Sequence, residues 1–325
     1  MRLQLILSGL FCFFLLGGCA VKEQFQGQYY LNSGKTEEGV QTFRRVVAEN
    51  PDDAKANYFL GRFLLAEEKP EEALPHLKKA ASRDPENADY HFWHGFASEE
   101  AGQTELARAG YERALALEEN HIQALTALGH NQLKNKEVES ALTTYQKVLE
   151  LWPSSPSALY NRALILKSLK RTPEEKLAWQ WYLSYYPEGP LARRATTHLN
   201  SLGVFDYRLH ILGLRKLVLG KIRFEAFSDR VDQNSVFWLD KVGNVLVNAP
   251  ELKLYVLVYQ KNNLELAKAR AKNVRGILLE RFPSLTGERI GISWFDVPER
   301  IEAGGRTFSE NESVNLFAVS SKAAS

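Results

Sequence analysis

Two histidines stand at a spacing that could serve a metal ion. His91 and His94 lie one helical turn apart in the segment His91-Phe-Trp-His94. The sequence offers no evident third ligand, and position 94 falls where the local pattern predicts packing, so histidines satisfied within a helix are favoured over a metal site. The chain also has no glycine-rich phosphate loop, no Gly-x-Ser-x-Gly turn and no His-Glu-x-x-His motif. These patterns predict a binding protein without metal or cofactor, and not an enzyme.

The first nineteen residues carry the only cysteines of the chain, Cys12 and Cys19. Residues 1–18 hold one charge, Arg2, and a mainly apolar run of about 14 residues, which is typical of a secretory signal peptide. A run of this length is too short to cross a bilayer comfortably, so an uncleaved membrane anchor is the less favoured alternative.

The signal ends in Leu16-Gly17-Gly18-Cys19, which resembles the lipobox of bacterial lipoproteins. The resemblance implies cleavage before Cys19 and a covalent lipid on that residue. Because Ala20 follows and not an aspartate, it also implies sorting to the periplasmic face of the outer membrane. The mature chain would contain no thiol, which suits an oxidising compartment.

Length and charge limit the remaining possibilities. The chain has 325 residues, for which two domains are the natural expectation. Its 41 basic and 39 acidic residues nearly balance, and no dense basic run occurs, so nucleic-acid binding has little support.

A period of 34 residues organises the first part of the chain. The period is kept by glycines (Gly27, Gly61, Gly95, Gly129), by large apolar residues (Phe43, Leu77, Tyr111, Tyr145, Trp179) and by prolines (Pro51, Pro85, Pro153, Pro187). Small residues, Gly39, Ala73, Ala107 and Ala141, keep it as well. This pattern resembles the tetratricopeptide (TPR) repeat, which implies an α-helical solenoid of antiparallel helix pairs.

The repeat units follow from that frame. Four units are predicted, 20–53, 54–87, 88–121 and 122–155, with a weaker fifth unit, 156–189, that carries Glu175 at the small-residue position. A capping helix is expected near 190–202, since terminal repeats are atypical. The predicted TPR domain is 19–202. One hairpin cannot bury its own apolar face, so stacked neighbours must do so and leave an extended, usually concave, surface.

The first helix of each unit is expected to line that surface. The candidates for a peptide groove are Tyr58, Phe59, Arg62, Phe92, Trp93, Phe96, Glu99, His130, Leu133, Tyr160 and Asn161. Rigid aromatic side chains in a groove commonly anchor a peptide. The alternative is that some of these residues fill the packing between repeats.

A different pattern begins after residue 202 and predicts a second domain, 203–325. Strands are expected in 216–227, 252–259, 289–295 and 313–320, and helices in 235–247 and 264–282. Their order predicts a small α/β domain, a mixed sheet with helices on one face.

From about residue 208 this domain resembles the OmpA-like family. The resemblance rests on Asn263, Leu266, Arg270, Ala271 and Val274, which match the family's Asn-x-x-Leu-x-x-x-Arg-Ala-x-x-Val helix. It implies that the domain holds the diaminopimelate of peptidoglycan between an aspartate and the arginine, a charge-assisted clamp.

The chain departs from this family at charged positions. Lys261 stands where the aspartate belongs, and the family's Asn-Arg pair reads Asn311-Glu312. The candidate site is therefore Lys261, Asn263, Arg270, Asn311 and Glu312 in altered form. Lys261 and Glu312 could pair and close the pocket; binding could instead persist through Arg270 and Asn263; or Arg270 could be a solvated helix residue.

The sequence thus predicts an outer-membrane lipoprotein that binds envelope proteins through a TPR groove, as a scaffold for an envelope, pilus or secretion machine. The alternative is a lipoprotein that tethers the outer membrane to peptidoglycan.

Overall fold

The computed structural model describes residues 24–320. The signal segment 1–18 and Cys19 lie outside the described residues. The chain divides into two compact units, Met1–Ala158 and Leu159–Ser325. Each unit is described separately below.

The first unit is built from antiparallel helix pairs at the predicted period. The helical residues 24–33 (α1) are followed by α2 (Thr36–Glu49), α3 (Ala54–Ala66), α4 (Pro70–Arg83), α5 (Ala88–Glu100), α6 (Thr104–Leu117), α7 (Ile122–Lys134) and α8 (Val138–Leu151). The next helix, α9 (Pro156–Ser168), begins at the end of this unit. The predicted α-helical solenoid is confirmed.

The 34-residue stripe of large apolar residues forms the core. Phe43, Leu77, Tyr111, Tyr145 and Trp179 are each at most 1% exposed. Small residues bring paired helices together: a Cβ added to Gly110 would lie 2.8 Å from the backbone nitrogen of Gly95. The helix axes of α5 and α6 can therefore approach closely only because both positions are glycine.

Each first helix of a pair begins at a capping side chain. Asp53, Asn87 and His121 stand 34 residues apart and accept hydrogen bonds from the backbone N–H three residues later, at 2.8, 3.3 and 3.2 Å. Such a cap satisfies a donor that the helix itself leaves without a partner.

Each first helix also ends in the same left-handed turn. Gly34, Glu68, Gly102, Lys136 and Lys170 all have a φ between +57° and +75°. The turn is a repeat feature, although glycine occupies it in only two of these five places. A side chain with a Cβ is strained in this conformation.

The second unit starts with helices. After α9 come α10 (Thr172–Tyr185) and α11 (Gly189–Ser201), the latter at the predicted capping position. Glu175, at the small-residue position of the fifth repeat, is buried and accepts a hydrogen bond from Trp179 Nε1 at 3.2 Å. The chain then changes from helix to strand between Ser201 and Tyr207.

A five-stranded mixed sheet completes this unit. Its elements are β1 (Tyr207–Leu212), β2 (Arg215–Gly220), α12 (Gln233–Val247), β3 (Leu252–Gln260), α13 (Leu264–Arg281), β4 (Ile290–Phe295) and β7 (Glu312–Ser320), and the strand order is β2-β1-β7-β3-β4. The β3–β4 and β1–β7 pairs are parallel, and the β1–β2 and β3–β7 pairs are antiparallel. The predicted mixed sheet is confirmed.

The helices of this unit pack on one face of the sheet. Alternate residues of β3, Leu254, Val256 and Val258, are fully buried against α12 and α13, whose core positions include Leu239 and Val274. This alternation follows from the two-residue period of a strand.

Three strands were not predicted. β1 forms a tight hairpin with β2, and β5 (Glu299–Ala303) forms a second, two-stranded sheet with β6 (Arg306–Glu310). The β5–β6 turn is Gly304-Gly305, both at positive φ, which is the backbone that a two-residue hairpin requires. The strand predicted over 216–227 ends at Gly220.

The β5–β6 hairpin is fastened to the large sheet by a buried carboxylate. Glu299 is 4% exposed and receives two hydrogen bonds from Arg208, at 2.6 and 2.9 Å. Ser313 and Asn315 donate to the same carboxylate at 2.6 and 3.2 Å. A buried charge with this many partners is compensated.

Within residues 24–320 no helix combines the length and the apolar character that crossing a membrane requires.

Candidate functional site

A cavity of about 750 Å³ in the first unit brings together three of the predicted groove residues. Phe92, Phe96 and His130 line it. The other lining residues, which were not predicted, are Asp89, Glu118, Asn120, His121, Ile122, Gln123, Thr126, Ala127 and Trp152. Most of them lie on α5 and α7, the first helices of two consecutive repeats, as expected for the groove of such an array.

Phe92 forms the floor of this cavity. It is 6% exposed, and its ring centroid lies 6.3 Å from that of Phe96 and 5.1 Å from that of His121. Phe96 is half-buried and Trp152 is exposed, so these two rings remain available to a ligand. Rigid rings of this kind lose little conformational entropy when they bind.

His121 links the floor of the cavity to its rim. Its Nδ1 accepts a hydrogen bond from the backbone N–H of Ala124, so the ring proton lies on Nε2 and is donated to Asp89 Oδ1 at 3.2 Å. This hydrogen bond lowers the pKa of the Asp89 carboxyl. The rim therefore carries a fixed carboxylate. The signal for His121 in the sequence was its position, 34 residues after the cap Asn87.

Three further groove candidates form a neighbouring cluster. The Arg62 guanidinium lies 4.1 Å from the ring centroid of Trp93 and donates a hydrogen bond to the hydroxyl of Tyr58 at 2.9 Å. Trp93 in turn lies 5.5 Å from Phe96, centroid to centroid. The aromatic surface is therefore continuous from Tyr58 on α3 to the cavity.

The other groove candidates lie elsewhere. Phe59 is fully buried in the core beside Phe43, so it has the packing role that was its alternative. Tyr160 and Asn161 belong to the second compact unit, where the ring of Tyr160 packs 5.2 Å from that of Trp179.

Two residues that were weighed with the groove have partners of their own. Glu99 accepts hydrogen bonds from Lys134 and Asn131, at 2.7 and 2.9 Å. Leu133 is half-buried on α7.

The histidine pair on α5 has different partners. His91 Nε2 lies 2.9 Å from the carbonyl oxygen of Pro85, and His94 Nε2 is buried without a hydrogen-bond partner. In the part of the chain that the structure describes, no group of three or more metal-ligating side chains occurs.

Arg270 of the second unit is a buried anchor and not a solvated helix residue. It is 2% exposed, and its Nε donates to the carbonyl oxygen of Ser228 at 2.9 Å. One terminal nitrogen binds the side-chain oxygen of Gln260 and pairs with Glu312 at 2.7 Å. The predicted pairing of Lys261 with Glu312 is wrong, because Arg270 is the cation that reaches this carboxylate.

The remaining residues of the predicted peptidoglycan site have local roles. Asn263 caps α13 by accepting a hydrogen bond from the backbone N–H of Leu266 at 3.0 Å. Lys261 and Asn311 are exposed and are joined through their backbones, Lys261 N–H to Asn311 O, at 2.8 Å.

Sequence comparison assigns the helical array to a repeat class. Residues 30–91 match one family model of the tetratricopeptide repeat, and residues 64–121 and 126–193 match another. The predicted TPR repeats are thereby confirmed.

Curated relatives match part of the array. The chain is 39% identical over 85 residues to the photosystem I assembly protein Ycf3 of Synechococcus sp. (strain CC9311), covering 25% of this chain and 49% of that protein. It is 38% identical over 85 residues to the protein of the same name from Synechococcus sp. (strain WH7803), covering 25% and 49%. The chain thus spans about half the length of the curated relatives it matches.

Among solved structures, pilF of Pseudomonas aeruginosa is similar in fold. The TM-score is 0.50 at 21% sequence identity, and the match covers 55% of this chain and 81% of that one. At this identity the likeness concerns the fold alone.

Proposed function

We propose that this chain, with the tetratricopeptide repeats of residues 30–121 and 126–193, is an outer-membrane lipoprotein that holds protein segments in the cavity lined by α5 and α7. In this role it is a scaffold or adaptor of an envelope, pilus or secretion machine, and it binds without catalysing a reaction. The aromatic cavity is the observation that carries the proposal.

The composition of the cavity suits a peptide segment. Its volume, about 750 Å³, is enough for two or three large side chains. Phe92, Phe96 and Trp152 supply apolar surface, while Asp89 and Gln123 supply polar atoms at the same opening. An apolar floor with a few polar groups is the usual arrangement for gripping one or two anchor residues of a partner.

The relatives support an assembly role. The curated proteins that match residues of the array are named for the assembly of a multi-subunit complex. We infer by analogy that the repeats of this chain hold a component during assembly, and the lipobox-like sequence at Cys19 suggests that the complex belongs to the cell envelope.

Co-purification tests the groove. The chain, extracted in detergent from its own membranes, should retain a protein partner, and Phe96→Asp should release it because a carboxylate would enter the apolar cavity. Leu106→Asp on α6 is the matched control, since Leu106 is also a partly exposed apolar helix residue but lies outside the cavity. Equal retention by both variants would reject the groove as the binding site.

The lipid anchor is tested separately. Cells grown with labelled palmitate should incorporate the label into this chain, and Cys19→Ser should abolish incorporation and leave the protein in the soluble periplasmic fraction. A wild-type chain without label would contradict the proposed lipidation, and it would leave the groove proposal intact.

Tethering to peptidoglycan is the alternative function, and no contact favours it. The Arg270 guanidinium that would grip the ligand is already bound to Ser228, Gln260 and Glu312. We therefore expect no retention of the full chain on pelleted peptidoglycan. Retention that free diaminopimelate abolishes would favour the tether over the scaffold.

A further inference from the structure

Two adjoining cavities lie in the second unit, away from the groove. The larger has a volume of about 1050 Å³ and the smaller of about 300 Å³. Both are lined by Pro187, Glu188 and Lys241. Glu188 and Lys241 form an ion pair at this border. The two cavities are therefore compartments of one cleft.

The smaller compartment is cationic. Arg193 of α11, Lys216 of β2 and Lys241 of α12 line it, and Glu188 is its one acidic residue. Within residues 24–320 neither Arg193 nor Lys216 enters an ion pair, whereas Glu188 is engaged by Lys241. The whole chain is nearly neutral, so this local excess of cations is not general. Converging cations in a concave site concentrate anions, and a guanidinium can bind a carboxylate through two parallel hydrogen bonds.

The larger compartment is aromatic and carries neutral polar groups. Tyr185, Tyr186, Phe237 and Trp238 contribute rings, and Ser184, Gln233 and Asn234 contribute hydroxyl and amide groups. Tyr185 is 48% exposed and Phe237 is 53% exposed, so part of each ring can be covered by a ligand. Phe237 and Trp238 lie 5.0 Å apart at an angle of 70°, which presents two differently oriented ring surfaces.

These two compartments match two parts of one kind of molecule. The C–H face of a pyranose ring is apolar and packs on an aromatic ring, while its hydroxyl groups hydrogen-bond to neutral amides and hydroxyls. A carboxylate on the same sugar chain would reach the cationic compartment. We infer that this cleft binds an acidic saccharide, with sugar rings against the aromatic residues and the acid group between Arg193 and Lys216.

A matched pair of sugars tests the inference. The full-length chain in detergent is titrated calorimetrically with a hyaluronan tetrasaccharide, which carries carboxylates, and with chitotetraose, its neutral counterpart of the same length. The hyaluronan fragment should bind at least tenfold more tightly, and its affinity should fall as salt is raised from about 20 to about 150 mM. Equal affinities, or no binding of either sugar, would overturn the inference.

Variants assign the two parts of the cleft. The double change Arg193→Gln and Lys216→Gln should reduce hyaluronan binding to the level of chitotetraose, and Phe237→Ala should weaken both sugars. Lys272→Gln is the matched control, because this exposed lysine of α13 does not line the cleft. Loss of binding in the control, or tighter binding of an acidic peptide such as tetraglutamate at the same residues, would reject a saccharide site.

Discussion

Replacing Lys136 with glycine should stabilise the first unit. Lys136 has φ +63° and is exposed, and it makes no ion pair within the described residues. Its left-handed backbone costs about 1–2 kcal/mol for a residue with a Cβ. Glycine removes that strain but loses about 0.5–1 kcal/mol through the greater freedom of the unfolded chain. The net expected gain is about 0.5–1 kcal/mol.

The reciprocal change should have the opposite effect. Gly102 occupies the same turn at φ +75°, with no atom within 4 Å of an added Cβ, so Gly102→Lys should cost about 0.5–1 kcal/mol through the backbone alone. A third variant, Lys78→Gly, places glycine in the interior of α4 at an exposed position and should cost about 1 kcal/mol.

Thermal unfolding followed by far-UV circular dichroism measures these effects. For a unit of this size, about 1 kcal/mol corresponds to a shift of roughly 2–4 °C in Tm. Lys136→Gly should raise Tm, and Gly102→Lys and Lys78→Gly should lower it. If Lys136→Gly lowers Tm as Lys78→Gly does, the left-handed turn is not a strained repeat feature and the reasoning is refuted.

Three further predictions concern the second unit. Burial lowers the pKa of His210 to about 4, against about 6.5 when unfolded, so stability should be constant above pH 6.5 and fall by about 3 kcal/mol towards pH 4; His210→Gln should flatten this part of the urea-unfolding profile, and an unchanged slope would contradict it. Glu299→Gln should destabilise the protein by about 3 kcal/mol or more, because Arg208 would keep a half-buried charge without its carboxylate; a urea midpoint within error of wild type would argue against a compensated ion pair. The double change Lys261→Asp and Glu312→Arg, which would restore the family's charges, should lower Tm and give no peptidoglycan retention, since the new guanidinium faces Arg270; a raised Tm with retention would reverse this view.

The periodic part of the fold could be predicted from the sequence because each position class repeats in the chain. Leu77, Tyr111 and Tyr145 are buried in successive units for the same reason, the stacking of one apolar stripe on the next. The left-handed turn was missed because Glu68 and Lys136 are not residues that favour positive φ. Only the register with Gly34 and Gly102 signals it.

The candidate sites were less predictable because their partners are distant in sequence. Glu299 and Arg208 are 91 residues apart, and no local pattern of either residue indicates the pair. Arg270 was correctly singled out, but its burial depends on Ser228, Gln260 and Glu312, which come from separate segments. In the groove, the first-helix positions of the repeats indicated Phe92, Phe96 and His130, whereas residues of the loop before α7 entered the cavity unannounced.

Site-specific photocrosslinking in living cells tests the central claim most directly. A benzophenone amino acid at position 96 should give a discrete protein adduct, and Phe92→Ala in the same chain should diminish it because Phe92 forms the floor of the cavity. The same amino acid at position 106 on α6 should give none. Adducts of equal strength from both positions, or an adduct from position 106 alone, would contradict the account that the cavity lined by α5 and α7 holds the partner.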